Sequence, residues 1–329
     1  MPNTEKKIPP SILNPNEERI LSIDLFRGIA IILMVSANYL AGVDSVPSWL
    51  KHAPDIGLTL ADLVAPLFIF AIGLTYRISF EKRKEKYGSL STNIHFLKRY
   101  LVLIGIGTIL TAGEAFFMST TSNWGVLQAI GVSGIITLIF IRFNAYIRIA
   151  VGLTFLVVYQ IVLNTLLLNN VLASGHGGLF GSVSWASMMI ISTVVAELFY
   201  RKKWQYYAFM IGLVVLSTIS IFLVPVSKNR VSLSYILIST TISALFFWFL
   251  DFISKYIKKP RGPLIWWGRN PIVLYVLHLM LLGFFALIPQ YFWYEGALLW
   301  LAALQLCFLL ATLSGIAWFL YKKKIVIAL

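Results

Sequence analysis

The sequence is poor in cysteine, histidine and charge. Its 329 residues include one cysteine, Cys307, and four histidines, and 12% are charged. A single cysteine excludes an intramolecular disulfide and a thiol-ligated metal cluster. The histidines are scattered and lack the close spacing typical of metal ligands, so we predict no metal site.

Acidic residues are half as frequent as basic ones. Thirteen aspartates and glutamates face 27 lysines and arginines, which gives a net charge of +14. The basic residues are dispersed over short loops, which argues against a nucleic-acid partner. Anionic membrane lipid is the simplest partner for such loops.

Apolar residues make up 59% of the chain, and the mean hydropathy is +0.83. These values predict an all-α polytopic membrane protein with about ten transmembrane helices, each of about 20 residues. The predicted spans are 21–42, 57–78, 97–113, 123–141, 145–166, 184–200, 204–224, 231–253, 263–288 and 297–321.

The polar, proline-containing segment 1–19 predicts a disordered tail, and residues 20–325 a single transmembrane domain. The first span is expected to act as an uncleaved signal anchor. Twenty-two of the 27 lysines and arginines fall on one side of the predicted spans. The positive-inside rule then places both termini in the cytoplasm and leaves His52 and Lys228 outside.

Arg27 and Arg269 are predicted to lie within spans, whereas the other arginines are counted with the loops and the amino-terminal tail. In the first span, Asp24 and Arg27 are three residues apart and share a helix face. They form either a self-neutralising pair or a site where Arg27 meets an anionic ligand, and Gly28 allows a close approach. In the ninth span, Pro271 predicts a disturbed helix, and Arg269, Asn270 and His278 provide polar side chains for an interior.

Four polar residues suggest chemistry on the external side. Asp62 lies within an apolar run, ten residues after His52, and a carboxylate in hydrocarbon normally faces a partner or a polar site. Taken singly, each residue has an ordinary structural explanation. Taken together, His52, Asp62, Asn38 and His278 are candidates for a base, an orienting acid, an oxyanion donor and a second imidazole.

The chain resembles the transmembrane heparan-α-glucosaminide N-acetyltransferase family, including its shorter bacterial members. The resemblance extends over residues 19–325. The matching motifs are Ser22 to Val35, Asn38-Tyr39, Lys51 to Phe70, Gly125 to Gln128, Lys228-Asn229, Ser232 to Tyr235, Asn270 with Tyr275, Val276 and His278, and Tyr321 to Ile325.

The resemblance implies a single acyltransferase domain that transfers acetyl from cytoplasmic acetyl-CoA to an amino sugar outside a bacterial inner membrane. Coenzyme A and the amino sugar are the implied partners, and a second copy of the chain is a further candidate. His52, Asn38 and Asp62 are the implied catalytic residues. The candidate binding residues are Asp24, Arg27, Gln128, Lys228, Asn229, Ser234, Tyr235, Arg269, Asn270 and His278.

Some choices stay open at this level. Ala129 and the segment Gly175 to Gly178 depart from the family pattern, so the acceptor sugar is not fixed. The alternatives are an O-acyltransferase acting on sugar hydroxyls and a proton-coupled transporter in which Asp62 and His278 relay protons. Acetylation through a ternary complex and through an acetyl-histidine are equally compatible with these residues.

The predicted sidedness can be measured by labelling. Cysteine introduced at position 52 or 229 of a Cys307→Ser protein should react with an impermeant thiol reagent added to intact cells. Cysteine at position 84 or 258 should react only after the membrane is opened, because positive-inside counting places these loops in the cytoplasm. The reverse labelling pattern would refute the orientation.

Overall fold

The computed structural model describes residues 20–118, 124–201, 203–257, 262–286, 288 and 290–327. The predicted tail, 1–19, and the basic segment 258–261 lie outside these residues. The regular elements of the described part are all helices, which confirms the all-α class. They are α1 Leu21–Ala41, α2 Val64–Tyr87, α3 Ser89–Met118, α4 Val126–Phe140, α5 Ala145–Val162, α6 Leu168–Leu172, α7 Gly178–Arg201, α8 Lys203–Leu223, α9 Leu233–Ser254, α10 Pro263–Arg269, α11 Pro271–Ala286 and α12 Leu299–Lys322.

Eight helices of the described chain are long and apolar enough to cross a membrane, and the bent pair α10–α11 makes a ninth when counted as one span. The predicted fourth span corresponds to α4, which has 15 residues. At 1.5 Å per residue, this helix is shorter than a hydrocarbon core of about 30 Å. The polytopic class is thus confirmed, whereas the count of ten is not.

Several helix boundaries differ from the prediction, among them those of the second and fifth spans. The second span was expected from residue 57, but residues 57–60 are loop, and Asp62 lies in a short 3₁₀ turn, Ala61–Leu63, that leads into α2. Asp62 therefore lies at the entrance of the helix rather than inside it. The fifth span continues beyond residue 166 to Leu172, through a π-helical segment at Leu163–Leu167.

The described helices form two compact units. One contains residues 72–225 and 229–244. Within it, α7 contacts α4, α5 and α8. In the apolar stretch of α7, 83% of the residues are buried, against 28% in the corresponding stretches of α5 and α8. Small residues such as Gly181, Ser184 and Ser187 let the neighbouring helices approach α7 closely.

The other unit contains residues 20–71, 226–228 and 245–329. In it α1 and α10 touch backbone to backbone. A Cβ atom built on Gly28 would lie 2.0 Å from the Leu264 carbonyl oxygen, and one on Gly268 would lie 2.1 Å from the Asp24 carbonyl oxygen. The close approach predicted at Gly28 is confirmed, and a second glycine on α10 reciprocates it.

The predicted disturbance at Pro271 is a full break. Helices α10 and α11 meet at 96°, with Asn270 between them at φ −130° and ψ 54°. Proline lacks an N–H and disfavours the helical conformation of the preceding residue, so both effects fall on Asn270. The Asn270 side chain donates to the Ile325 carbonyl at 3.0 Å and accepts from the Ile327 N–H at 2.9 Å.

The glycine contact can be tested by adding one methyl group. Gly28→Ala or Gly268→Ala should lower the free energy of unfolding by about 1–3 kcal/mol, because backbone atoms cannot move aside as a flexible side chain does. Thermal unfolding of purified protein in detergent measures the effect. Gly283→Ala and Gly315→Ala are matched controls, since a Cβ there meets nothing within 4 Å. Equal unfolding temperatures for all four variants would refute the tight crossing.

Candidate functional site

The loop that joins α1 to α2 folds around the carboxylate of Asp62. The side chain is fully buried, and its Oδ2 accepts hydrogen bonds from the Ala53 N–H at 3.2 Å and the Thr59 N–H at 3.0 Å. The Thr59 hydroxyl donates to the same oxygen at 3.0 Å. These donors compensate for the loss of water around a buried anion. The contacts also fix the path of residues 53–59.

The second oxygen of Asp62 orients His52. Nδ1 of His52 lies 2.9 Å from Oδ1 of Asp62, and 36% of the histidine side chain is exposed. A carboxylate accepts only, so Nδ1 carries the hydrogen, and Nε2 carries the lone pair when the ring is neutral. The predicted base and its predicted orienting acid are therefore in contact, with the reactive nitrogen turned away from the carboxylate.

A second pair joins α1 to α11. Asn38 and His278 are 240 residues apart in sequence, and Nδ2 of Asn38 lies 2.9 Å from Nε2 of His278. His278 is fully buried. The amide donates to the imidazole, which leaves Asn38 Nδ2 one further N–H. The sequence predicted these two residues as parts of one constellation, and the structure places them in direct contact.

Lys228 belongs to a short segment that docks on the His52 loop. The Gly57 N–H donates to the Val226 carbonyl at 2.8 Å, and the Ser227 hydroxyl donates to Oδ1 of Asp55 at 2.9 Å. Burial lowers the pKa of Lys228 to about 8, and the Asp62 carboxylate opposes this shift. A cation that titrates at mildly alkaline pH therefore lies within electrostatic range of the His52–Asp62 pair.

Four of the candidate binding residues, Asp24, Arg27, Arg269 and Asn270, lie on α1 and at the α10–α11 break. Asp24 is buried and Arg27 half-buried near the start of α1. The Arg269 guanidinium lies 4.3 Å from the centroid of the Tyr321 ring, an arrangement typical of a cation–π contact. The amide of Asn270 binds the backbone of residues 325 and 327, as described above, so it holds the carboxy-terminal segment against the break.

Four predicted binding residues lie in the unit formed by residues 72–225 and 229–244. The buried Gln128 accepts from the Gly125 N–H and donates to the Thr111 hydroxyl, both at 3.0 Å, and thereby caps α4. Ser234 donates to the Pro225 carbonyl at 3.0 Å at the start of α9. Tyr235 is fully buried and packs edge-on against Trp185. Asn229 is half-buried in the segment before α9.

Some residues of the site were not singled out from the sequence. Thr59 supplies two of the donors to Asp62, and its place three residues before the carboxylate is a spacing typical of such local contacts. Ser227 and Asp55 are missed because nothing in either segment indicates that they meet. Glu197 is missed as well, although the same argument that identified Asp62 applies to an acidic residue in an apolar helix.

Part of the chain is similar to a known protein family. Residues 19–180 match the family model described as heparan-alpha-glucosaminide N-acetyltransferase, catalytic. The human protein heparan-alpha-glucosaminide N-acetyltransferase is 37% identical over 123 residues, which are 35% of this chain and 18% of the human one. The mouse protein of the same name is 33% identical over 132 residues, 38% of this chain and 19% of its own length. The aligned segment thus spans about a fifth of either relative.

Asn38, His52, Asp62 and Gln128 fall inside the matched region, whereas Lys228 and His278 lie beyond it. The resemblance suggested for residues 181–325 therefore stays a prediction. Within the matched region the resemblance drawn from the sequence motifs is confirmed, because residues 19–180, just under half of the chain, match the catalytic model of the heparan-α-glucosaminide N-acetyltransferase family.

Proposed function

We propose that this protein is a membrane N-acetyltransferase that moves an acetyl group from cytoplasmic acetyl-CoA to the amino group of a hexosamine outside. The observation that carries the proposal is the His52–Asp62 contact of 2.9 Å in the family-matched part of the chain. The inner membrane of a bacterium is the proposed location.

His52 acts as the general base in this proposal. The amine nitrogen attacks the carbonyl carbon of the acetyl thioester while Nε2 of His52 takes a proton from the amine. The C–N bond forms, the C–S bond breaks, and the proton passes to the departing thiolate, which yields the amide and free coenzyme A. Asp62 keeps Nε2 as the basic nitrogen by accepting from Nδ1, and its negative charge stabilises the imidazolium that forms. The donors from Ala53 and Thr59 hold the carboxylate in its ionised form.

Asn38 is the proposed oxyanion donor. As the amine attacks, negative charge develops on the thioester oxygen, and a positioned N–H lowers the energy of that state. One N–H of Asn38 is directed to His278, which fixes the plane of the amide. The other N–H is the one proposed to meet the oxyanion, and His278 serves as a positioning residue.

Lys228 adds a positive charge to the same surroundings. Its ammonium group would stabilise an anionic transition state. The electrostatic interaction of Lys228 with Asp62 indicates that the ammonium lies close enough to act on the His52–Asp62 pair. Proposed contacts to the sugar come from Gln128, Asn229, Ser234 and Tyr235. The hydrogen bonds of Gln128 and Ser234 with their own unit favour an indirect role, in which they hold the starts of α4 and α9 in place.

Coenzyme A carries several phosphate charges, which require cationic partners in an apolar environment. Arg27 and Arg269 are the proposed partners, with Asp24 orienting Arg27. Asn270 would contribute indirectly, since its amide holds the carboxy-terminal segment beside Arg269. Turnover can be measured in two independent ways, from the amide that forms and from the coenzyme A thiol that is released.

Acetyl transfer can be assayed in proteoliposomes with labelled acetyl-CoA and a panel of hexosamines and matching sugar alcohols. Native protein should acetylate an amino sugar. His52→Ala should lower turnover by roughly two to four orders of magnitude, because the proton of the attacking amine then has no acceptor. His95→Ala, which changes a half-buried histidine of α3, is the matched control and should retain turnover.

Four outcomes separate the alternatives. Near-native turnover by folded His52→Ala protein would remove His52 from the mechanism. Labelling of the sugar alcohols alone would replace N-acetylation with O-acetylation. A native protein that binds no acetyl-CoA and moves sugar across the membrane would be a transporter. Trapped label on His52 after incubation without acceptor would indicate the acetyl-histidine route.

The charge on Lys228 predicts a specific pH dependence. With a pKa of about 8, the ammonium is present at lower pH and is lost as the pH rises through 8. Lys228→Met should therefore be roughly tenfold less active than native protein at pH 6.5, with the two rates converging above pH 9. Lys228→Arg keeps its charge and should retain a constant ratio to Lys228→Met over that range. A pH-independent ratio of native protein to Lys228→Met would exclude the role.

A further inference from the structure

Glu197 is the centre of a cluster of three arginines in the unit formed by residues 72–225 and 229–244. Arg77 donates to its Oε2 at 2.5 Å, and Arg201 donates to its Oε1 at 3.1 Å. Arg148 donates to Oε2 as well. Helices α2, α5 and α7 supply these side chains, so one carboxylate links three helices.

The three arginines are not equivalent. Arg148 is fully buried and binds the Thr193 hydroxyl and the Phe143 carbonyl in addition to Glu197. Its guanidinium is thus held in the interior of the unit. The side chain of Arg77 is 16% exposed and that of Arg201 is 21% exposed, and both side chains line a small pocket. This pocket is completed by Ile78, Thr193, Ala196, Glu197 and Tyr200.

The cluster has more positive charge than a link between helices requires. Three guanidinium groups share one carboxylate that is only 11% exposed, which leaves two positive charges in excess within the cluster. Like charges held together in poorly hydrated surroundings are unfavourable unless an anion joins them. In addition, Nε of Arg77 is buried and has no hydrogen-bond partner among the described residues. An anion bound in the pocket could accept from this N–H.

We propose that this pocket binds a phosphate group through Arg77 and Arg201. Guanidinium groups recognise phosphate by paired N–H donors, and two partly exposed guanidinium groups line this small, open pocket. The arginines come from segments that the basic-residue count places on the cytoplasmic side, which is where phosphorylated metabolites and anionic headgroups both occur. The proposal concerns binding alone and does not depend on acetyl transfer.

Two sources can supply the phosphate, and the binding experiment distinguishes them. In the soluble arm, inorganic phosphate and adenosine 3′,5′-bisphosphate are titrated by calorimetry into protein held in phosphatidylcholine nanodiscs. In the lipid arm, native mass spectrometry counts phosphatidylglycerol retained against phosphatidylcholine. We expect saturable binding in one arm, and Arg201→Gln should weaken it roughly tenfold or more. Arg77→Gln should have a similar effect.

Arg142 provides the matched control. It lies in the same unit, donates to Ser89 and Asn93 and lies over the Phe80 ring, away from the pocket. Arg142→Gln should leave binding unchanged. A native protein that binds neither inorganic phosphate, the bisphosphate nor phosphatidylglycerol would overturn the proposal. Unaltered affinity in folded Arg77→Gln and Arg201→Gln would overturn it as well.

A measurement on native protein covers the case in which these variants fail to fold. Phenylglyoxal modifies accessible arginines, and peptide mass spectrometry reports the rate at each position. The phosphate ligand should slow modification of Arg201 and Arg77 severalfold and leave Arg142 unaffected. Equal protection of all three arginines, or of none, would contradict a site at Glu197.

Discussion

The surroundings of His52 depend on the need to satisfy one buried carboxylate. Asp62 has no exposed surface, and the loop that precedes it donates the four hydrogen bonds described above. Removing those donors would leave a charge in an apolar environment, at a penalty of several kcal/mol. The loop therefore has little freedom at residues 52–59. Its conformation is a consequence of the anion, and the orientation of the imidazole follows from the conformation.

The same unit combines this polar requirement with very close apolar packing. Gly28 and Gly268 bring α1 and α10 to backbone contact, and the break at Asn270 then redirects the chain into α11. Because α1 also carries Asn38 and α11 carries His278, the packing of glycines determines whether the amide and the imidazole can meet. The helix contact at Gly28 and Gly268 thus influences the geometry of the Asn38–His278 pair, although neither glycine belongs to that pair.

Local patterns in the sequence predict more of this molecule than distant ones do. The ten-residue interval from His52 to Asp62 suggests their pairing, and the disturbed helix at Pro271 follows from the chemistry of proline. Contacts with backbone groups are harder to foresee: the carbonyl of Ile325 and the N–H of Ile327 carry no sequence signal, so the contacts of Asn270 with the carboxy-terminal segment are not predicted. Its role in ligand binding stays a prediction. The short α4 is missed because hydropathy shows where a run is apolar and not where the helix ends. The cluster around Glu197 is recognised only in the structure, because Arg77 and Arg148 come from distant segments and only Arg201 is a near neighbour in sequence.

The two hydrogen bonds that Asn270 makes with the carboxy-terminal segment also have a consequence for biosynthesis. The partners of Asn270 lie 55 and 57 residues further along the chain. At the usual elongation rate of about 5–20 residues per second, the ribosome needs roughly 3–10 s to make that stretch. During this interval the break between α10 and α11 has no amide contact to hold it, and α12 must enter the membrane before the contact forms. The final geometry of the turn that carries Arg269 is therefore reached late, after the helices on both sides of it have been inserted.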